Sequence, residues 1–329
     1  MAHTADHDEH LPAIPVIDLQ RWRDGDPSVA ATVDDALRTV GFVMLAGHGV
    51  DQGLIDGTRS AGYAFFHGPD EAKASVAVTP DAYRGWVGSG TQSNAATYGI
   101  ETLPDLKESY IVGPTAPADV ELSPAGEQWF LPNRWPAAPA DLRTWTERYH
   151  AAMAGLAEEV LTLFAEALGL EADALTSFCA TPTSSINLNW YPSHTVTPSA
   201  PVGQFRVGPH TDFGTITLLD REPGAGGLQV QRLDGEWVDA PWVPGTFTVN
   251  IGDLMSHWTN GRWRSTRHRV LPPPIDVPSE ELLSLVFFHG ADHDAVVVPF
   301  DVGGSGVVDR SPVLAGEYVA AKVAALAVD

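Results

Sequence analysis

His210 and Asp212 stand two residues apart in the segment Gly208-Pro209-His210-Thr211-Asp212-Phe213-Gly214. On an extended strand that spacing turns both side chains to one face, so an imidazole and a carboxylate can grip the same ion. The pair alone is common by chance. Its weight comes from His268, 56 residues after Asp212 in a second β-rich segment, Trp263-Arg264-Ser265-Thr266-Arg267-His268-Arg269-Val270. Two imidazoles and one carboxylate on one side of an ion leave three positions open, which suits a ferrous ion that must also take a chelating co-substrate and O2. Zinc, which tends to four ligands with few open positions, suits the set less well.

Other chemistry-bearing residues read more plainly. His289, Asp292, His293 and Asp294 form a second local group, expected as a solvated turn after the last core strand. His48 lies between two glycines as a turn residue, and His194 and His257 fall in expected loops. Gly303-Gly304-Ser305-Gly306 lacks the lysine of a phosphate loop and reads as a flexible connection. The single cysteine, Cys179, excludes a disulfide within the chain and a cysteine-based zinc site.

The elements that must position these groups follow from patterning. Glycine and proline are frequent, at 31 and 26 of 329 residues, which points to many turns and short strands. From Ser185 to Val298 short apolar or alternating runs are separated by Pro, Gly and Asp: 186–191, 214–219, 227–231, 246–251, 264–271 and 282–288. With no helical period between them, they predict an antiparallel barrel or jelly roll. Before this region a strand is expected over 14–19. An amphipathic helix follows, capped by Asp26 with Pro27 at its first position, then a buried strand over 41–46, a helix over 51–66 and a long helix over 142–168. Residues 83–105 have no period and read as a long loop, and 313–328 as a C-terminal helix; these two are the expected lid. The organisation expected is a disordered tail (1–12), an N-terminal helix and strand region (13–180), the jelly-roll core (181–300) and the C-terminal helix (301–329), in one compact unit. The fold class is thus β-rich α+β, a double-stranded β-helix core with flanking N-terminal and C-terminal helices.

A formal charge of −23 makes nucleic acid an unlikely partner, since a polyanion would be repelled. It favours a monomer or small homo-oligomer. The polar, acidic start and the lack of an apolar run near ~20 residues predict a cytoplasmic protein without a membrane partner.

Ordered matches along most of the chain resemble the isopenicillin N synthase-like Fe(II)/2-oxoglutarate-dependent oxygenases. They run from Ile14-Pro15-Val16-Ile17-Asp18-Leu19, Gly41-Phe42-Val43 and Gly47-His48-Gly49-Val50 through Asp105-Leu106-Lys107-Glu108-Ser109 and Asn133-Arg134-Trp135-Pro136. They continue with Asn189-Trp190-Tyr191-Pro192, the segment from His210 to Leu219, Gly227-Leu228-Gln229-Val230, Asn250-Ile251-Gly252-Asp253, Thr259-Asn260-Gly261-Arg262 and His268-Arg269-Val270. The resemblance implies Fe(II) held by His210, Asp212 and His268, with 2-oxoglutarate as co-substrate and Tyr191, with Asn189 beside it, near its distal carboxylate. It implies oxidation of a small molecule by O2 at an unactivated C–H bond, by hydroxylation, desaturation or cyclisation, with 2-oxoglutarate giving succinate and CO2. A natural-product pathway is the expected setting. Asp212 argues against halogenation, because a halide needs the position this carboxylate fills.

One departure stands out. The family carries Arg-x-Ser before a paired-aromatic strand, and here Ser284 is present while the arginine position holds Leu282. Arg206, by strand parity with Gly208 and His210, and Arg264, by parity with His268, are the expected replacements. Leu282 also allows a second reading, a 2-oxoglutarate-independent Fe(II) oxidase of the isopenicillin N synthase type, and a third, of a different class, is an inactive jelly-roll ligand-binding protein.

Overall fold

The computed structural model describes residues 14–79, 82–116, 121–193, 203–277, 279–303 and 311–326. The tail 1–12, His194 and most of the glycine-rich Gly303–Gly306 connection lie outside them. Among the described residues twelve strands build two sheets: β1 (Val16–Asp18), β2 (Phe42–Ala46), β3 (Gly85–Val87), β4 (Glu108–Val112), β5 (Ser185–Tyr191), β6 (Val207–His210), β7 (Ile216–Asp220), β8 (Leu228–Gln231), β9 (Trp237–Asp239), β10 (Phe247–Ile251), β11 (His268–Val270) and β12 (Leu282–His289). The large sheet runs β1-β2-β10-β7-β12-β5-β4-β3 and the small one β6-β11-β8-β9. Their paired cores, β10-β7-β12-β5 against β6-β11-β8-β9, form the double-stranded β-helix expected from the alternating runs. Only β1 and β2 run parallel among the pairs of these two sheets.

Period-two alternation gives each central strand of the large sheet two faces. The outer face packs on the helix Leu142–Ala167 and its neighbours Ser28–Thr39 and Gln52–Phe66, in an apolar core that gathers residues from Ile17 to Ala315. Asp51 caps Gln52–Phe66 by accepting the Leu54 N–H at 2.9 Å. A smaller apolar cluster, including Phe42, Met44, Leu228 and Val230, lies between the sheets. Among the described residues no helix is long and apolar enough to cross a membrane.

Some boundaries differ from expectation. The helix Ser28–Thr39 starts with Pro27 in the capping place, while the Asp26 carboxylate accepts the Ser28 N–H at 2.9 Å. Residues 83–105 are not all loop: they hold β3, paired with β4, and the 3-10 turn Asn94–Tyr98. The C-terminal helix is shorter, Ala315–Ala324. His289 is no turn residue, since it closes β12 at 1% exposure because its ring lies on the apolar face beside Phe287. Gly41, at φ +77°, passes so close to the segment before β11 that an added Cβ would lie 2.3 Å from the Arg264 carbonyl oxygen. Only glycine fits there, and the approach locks β2 beneath the strand that carries His268.

Candidate metal and co-substrate site

β6 and β11 pair antiparallel with His210 opposite His268, which brings the two imidazoles within 4.2 Å between ring centroids. Asp212 follows just past the end of β6. Its Oδ1 lies 3.7 Å from Nε2 of each histidine, and all three donor atoms fall within 4.8 Å of one another. All three side chains are buried.

The surroundings fix the donors. His210 Nδ1 faces the Gly208 carbonyl at 2.8 Å and His268 Nδ1 faces the Thr266 carbonyl at 3.1 Å. A proton on each Nδ1 satisfies those carbonyls and leaves Nε2 with a free lone pair. Asp212 Oδ2 accepts from Thr217 Oγ1 at 2.5 Å and from Asn250 Nδ2 at 2.7 Å, so Oδ1 alone is left to the histidines. Burial and then the neighbouring His268 push the His210 pKa well down, so its ring is neutral. For Asp212 burial pulls upward, but the two imidazoles and the hydrogen bonds from Thr217 and Asn250 outweigh it and hold the carboxyl below its usual range. Two imidazoles and one ionised carboxylate, each oriented from behind, are a donor set that fits a ferrous ion.

A cavity of about 90 Å³ extends from these donors into the space between the sheets. Its walls include Leu219, Leu228, Val270 and Val286, and Asn189, Tyr191 and Ser284 supply polar groups deeper in. Burial pushes the Tyr191 phenol up to about 12, against the influence of Arg206 and of hydrogen bonds with Ser284 and Asn189. It therefore stays protonated as an O–H donor. The two expected replacement arginines go elsewhere. Arg206 is 2% exposed, stacks over the Tyr191 ring at 5.3 Å and pairs with Glu280 at 2.6 Å. Arg264 donates to the Thr39 carbonyl at 2.8 Å. Neither is among the residues lining the cavity.

Thr217, Asn250 and Asp105 support the site although the sequence assigns them no role. Asp105 Oδ1 accepts the Gly208 N–H at 2.9 Å, which steadies the strand two residues before His210. The signal available was alternation: Thr217 and Asn250 fall at the polar positions of otherwise apolar strands. The expected lid elements meet beside the donors. Thr211 Oγ1 bonds Tyr98 at 2.6 Å, and Lys322 of the C-terminal helix lies 5.3 Å over the Tyr98 ring and 5.8 Å over Phe213.

Comparison with known proteins agrees with this geometry. A sequence profile for the N-terminal region of non-haem dioxygenases in morphine synthesis matches residues 14–138, and one for the 2OG-Fe(II) oxygenase superfamily matches residues 182–291. The validamycin A dioxygenase of Streptomyces hygroscopicus subsp. limoneus is 42% identical over 94% of this chain and 86% of its own. Homoarginine-6-hydroxylase 2-ODD-C23.1 of Arabidopsis thaliana is 30% identical, over 94% and 96%. The crystal structure of full-length Neurospora crassa T7H with alpha-KG and thymine superposes with a TM-score of 0.81 at 28% identity, over 97% of this chain and 98% of that one. A putative 2OG-Fe(II) oxygenase family protein from Caulobacter crescentus also gives 0.81, at 26% identity over 95% and 98%.

Proposed function

The chain belongs to the 2OG-Fe(II) oxygenase superfamily, and from that premise we propose that His210, Asp212 and His268 hold its ferrous ion and that Asn189, Tyr191 and Ser284 receive its 2-oxoglutarate. It is an Fe(II)- and 2-oxoglutarate-dependent dioxygenase acting on a small molecule. When bound, the iron with 2-oxoglutarate and O2 supplies the oxidising power to cleave an unactivated C–H bond. The observation that carries the residue assignment is the meeting of three buried donors within 4.8 Å, each with its other polar atom already engaged.

The protein's own part is to bind, orient and exclude water. Thr217 and Asn250 turn one carboxylate oxygen of Asp212 toward the ion. The Tyr191 and Ser284 hydroxyls donate hydrogen bonds to the co-substrate carboxylate far from the metal. Leu219, Leu228, Val270 and Val286 keep the intervening wall dry, which strengthens every polar contact inside.

For the substrate, the relative at 42% identity, named for validamycin A, supports a natural product of that kind. Tyr98, Thr211, Arg267 and Lys322 beside the donors supply polar contacts suited to such a molecule. The charge of −23 supports a monomer or small homo-oligomer.

The test is anaerobic reconstitution with Fe(II) and 2-oxoglutarate, followed by O2 and a panel of natural products that includes validamycin A. Succinate should form in step with one oxidised product. Alanine at His210, Asp212 or His268 should abolish metal retention, measured by elemental analysis. A His268→Ala protein that still holds one equivalent of iron would remove the residue assignment.

A further inference from the structure

2-Oxoglutarate is a dianion, and the end that does not chelate metal carries a carboxylate into the cavity. A buried anion without a cation costs several kcal/mol. Leu282 cannot supply one, and Arg206 already has Glu280 as its counter-ion at 2.6 Å. The geometry points to Arg221 as the cation that receives the distal carboxylate, an assignment that rests on the 2-oxoglutarate reading above.

Three observations support it. Thr217, Leu219 and Arg221 are spaced two apart at the end of β7, and all three line the cavity. Thr217 marks the metal end through its bond to Asp212. Four strand residues cover about 13 Å, a distance that the five-carbon diacid and an arginine side chain span together. Next, the pair Asp220 and Leu285 is the last in register between β7 and β12, so Arg221 stands one residue beyond it alongside Ser284. Ser284 in turn pairs with Asn189 of β5, which puts the cation in the same tier as the polar groups of the deep wall.

Finally, Arg221 carries a charge that no acid among the described residues answers. Its Nε donates to Thr248 Oγ1 at 3.2 Å, and its Nη2 donates to the Ala240 carbonyl at 3.1 Å and to the Pro241 carbonyl. These are neutral acceptors, and they leave Nη1 to a ligand. Burial alone lowers its pKa, to about 10, with no carboxylate to offset it. The adjacent acid, Glu222, also lines the cavity, but its Oε2 is turned to Tyr63 at 2.6 Å, to the Leu283 N–H at 2.7 Å and to Arg59 at 3.8 Å rather than to Arg221. A cation partly desolvated at the end of a cavity, without a counter-charge, is set up for an anionic guest.

The test compares two ligands on four proteins loaded with Mn(II) in place of Fe(II) under argon. Calorimetry measures binding of 2-oxoglutarate and of 2-oxopentanoate, which lacks the second carboxylate. The wild type should prefer 2-oxoglutarate by about 100-fold, the usual scale of a buried charge pair. Arg221→Met should erase that preference by weakening 2-oxoglutarate alone, Arg221→Lys should keep part of it, and Leu282→Arg added to Arg221→Met should restore it. A preference that survives Arg221→Met sinks the assignment. So does an equal loss for both ligands together with a fall in the thermal midpoint, since that pattern means Arg221 only pins the Ala240–Pro241 turn. A wild type that shows no preference for 2-oxoglutarate removes the co-substrate reading itself, an outcome distinct from the other two.

Discussion

Each central strand of the large sheet borders two regions of opposite chemistry. On β12, Leu283, Leu285 and Phe287 are each 0% exposed against the helical layer, while Leu282, Ser284, Val286 and Phe288 line the cavity between the sheets. β10 repeats the division, with Phe247, Val249 and Ile251 outward and Thr248 and Asn250 inward. The outer region is filled by apolar side chains, and its worth is stability. The inner region keeps open space and polar groups, and its worth is chemistry. The strands can afford the polar inner face because the outer one already buries enough apolar surface to hold them.

Substitutions on the two faces should therefore separate function from folding. Asp212→Ala, on the inner side, should cut turnover by about 10⁴-fold and take metal content to background, with the denaturant midpoint nearly unchanged. Leu285→Ala, on the outer side, should cost about 3 kcal/mol in urea unfolding, while the folded fraction still binds metal stoichiometrically. If Leu285→Ala instead released the metal at low denaturant, the separation would be lost.

A titration sharpens the contrast. Burial, and then the charge of His150, push the pKa of His289 down to about 4, so this outer-face ring is neutral when folded. In the unfolded chain it would bind a proton near pH 6.5. Its contribution is then complete above pH 6.5 and is lost as the pH falls toward 4, by on the order of 2–3 kcal/mol. Urea unfolding across that window should show the loss, and His289→Gln should flatten the slope. The smallest effect is expected behind the metal. Asn250→Ala leaves the donors in place and removes one of two anchors on Asp212, so metal affinity should drop about 10–100-fold in a chelator competition, with unfolding changed little.

Much of this division was legible in the sequence. The alternation in 186–191 and 246–251 marks strands with one apolar and one polar face, and two histidines and an aspartate at strand spacing mark the donors. What escaped has physical causes. The apolar run 214–219 stops at Leu219, before the charged Asp220, Arg221 and Glu222, so the same-face row that reaches Arg221 leaves no trace in the pattern. Arg206 shares strand parity with His210, yet Glu280, 74 residues away, takes its charge, and pairing over that distance leaves no local trace. β3 hides in a segment rich in Gly, Ser and Asn because its three residues gain their order from β4 rather than from their own propensity. His289 looked like part of a polar turn because the charged residues after it masked its place on the apolar face.

The two imidazoles take their orientation from carbonyls two residues upstream, Gly208 for His210 and Thr266 for His268. Every amino acid brings a main-chain carbonyl, so exchanging side chains nearby does not remove these tethers. The carboxylate depends instead on two particular side chains, Thr217 and Asn250. Inherited variation can thus reshape the substrate chamber around the histidines at little risk, whereas tolerance narrows sharply around the aspartate.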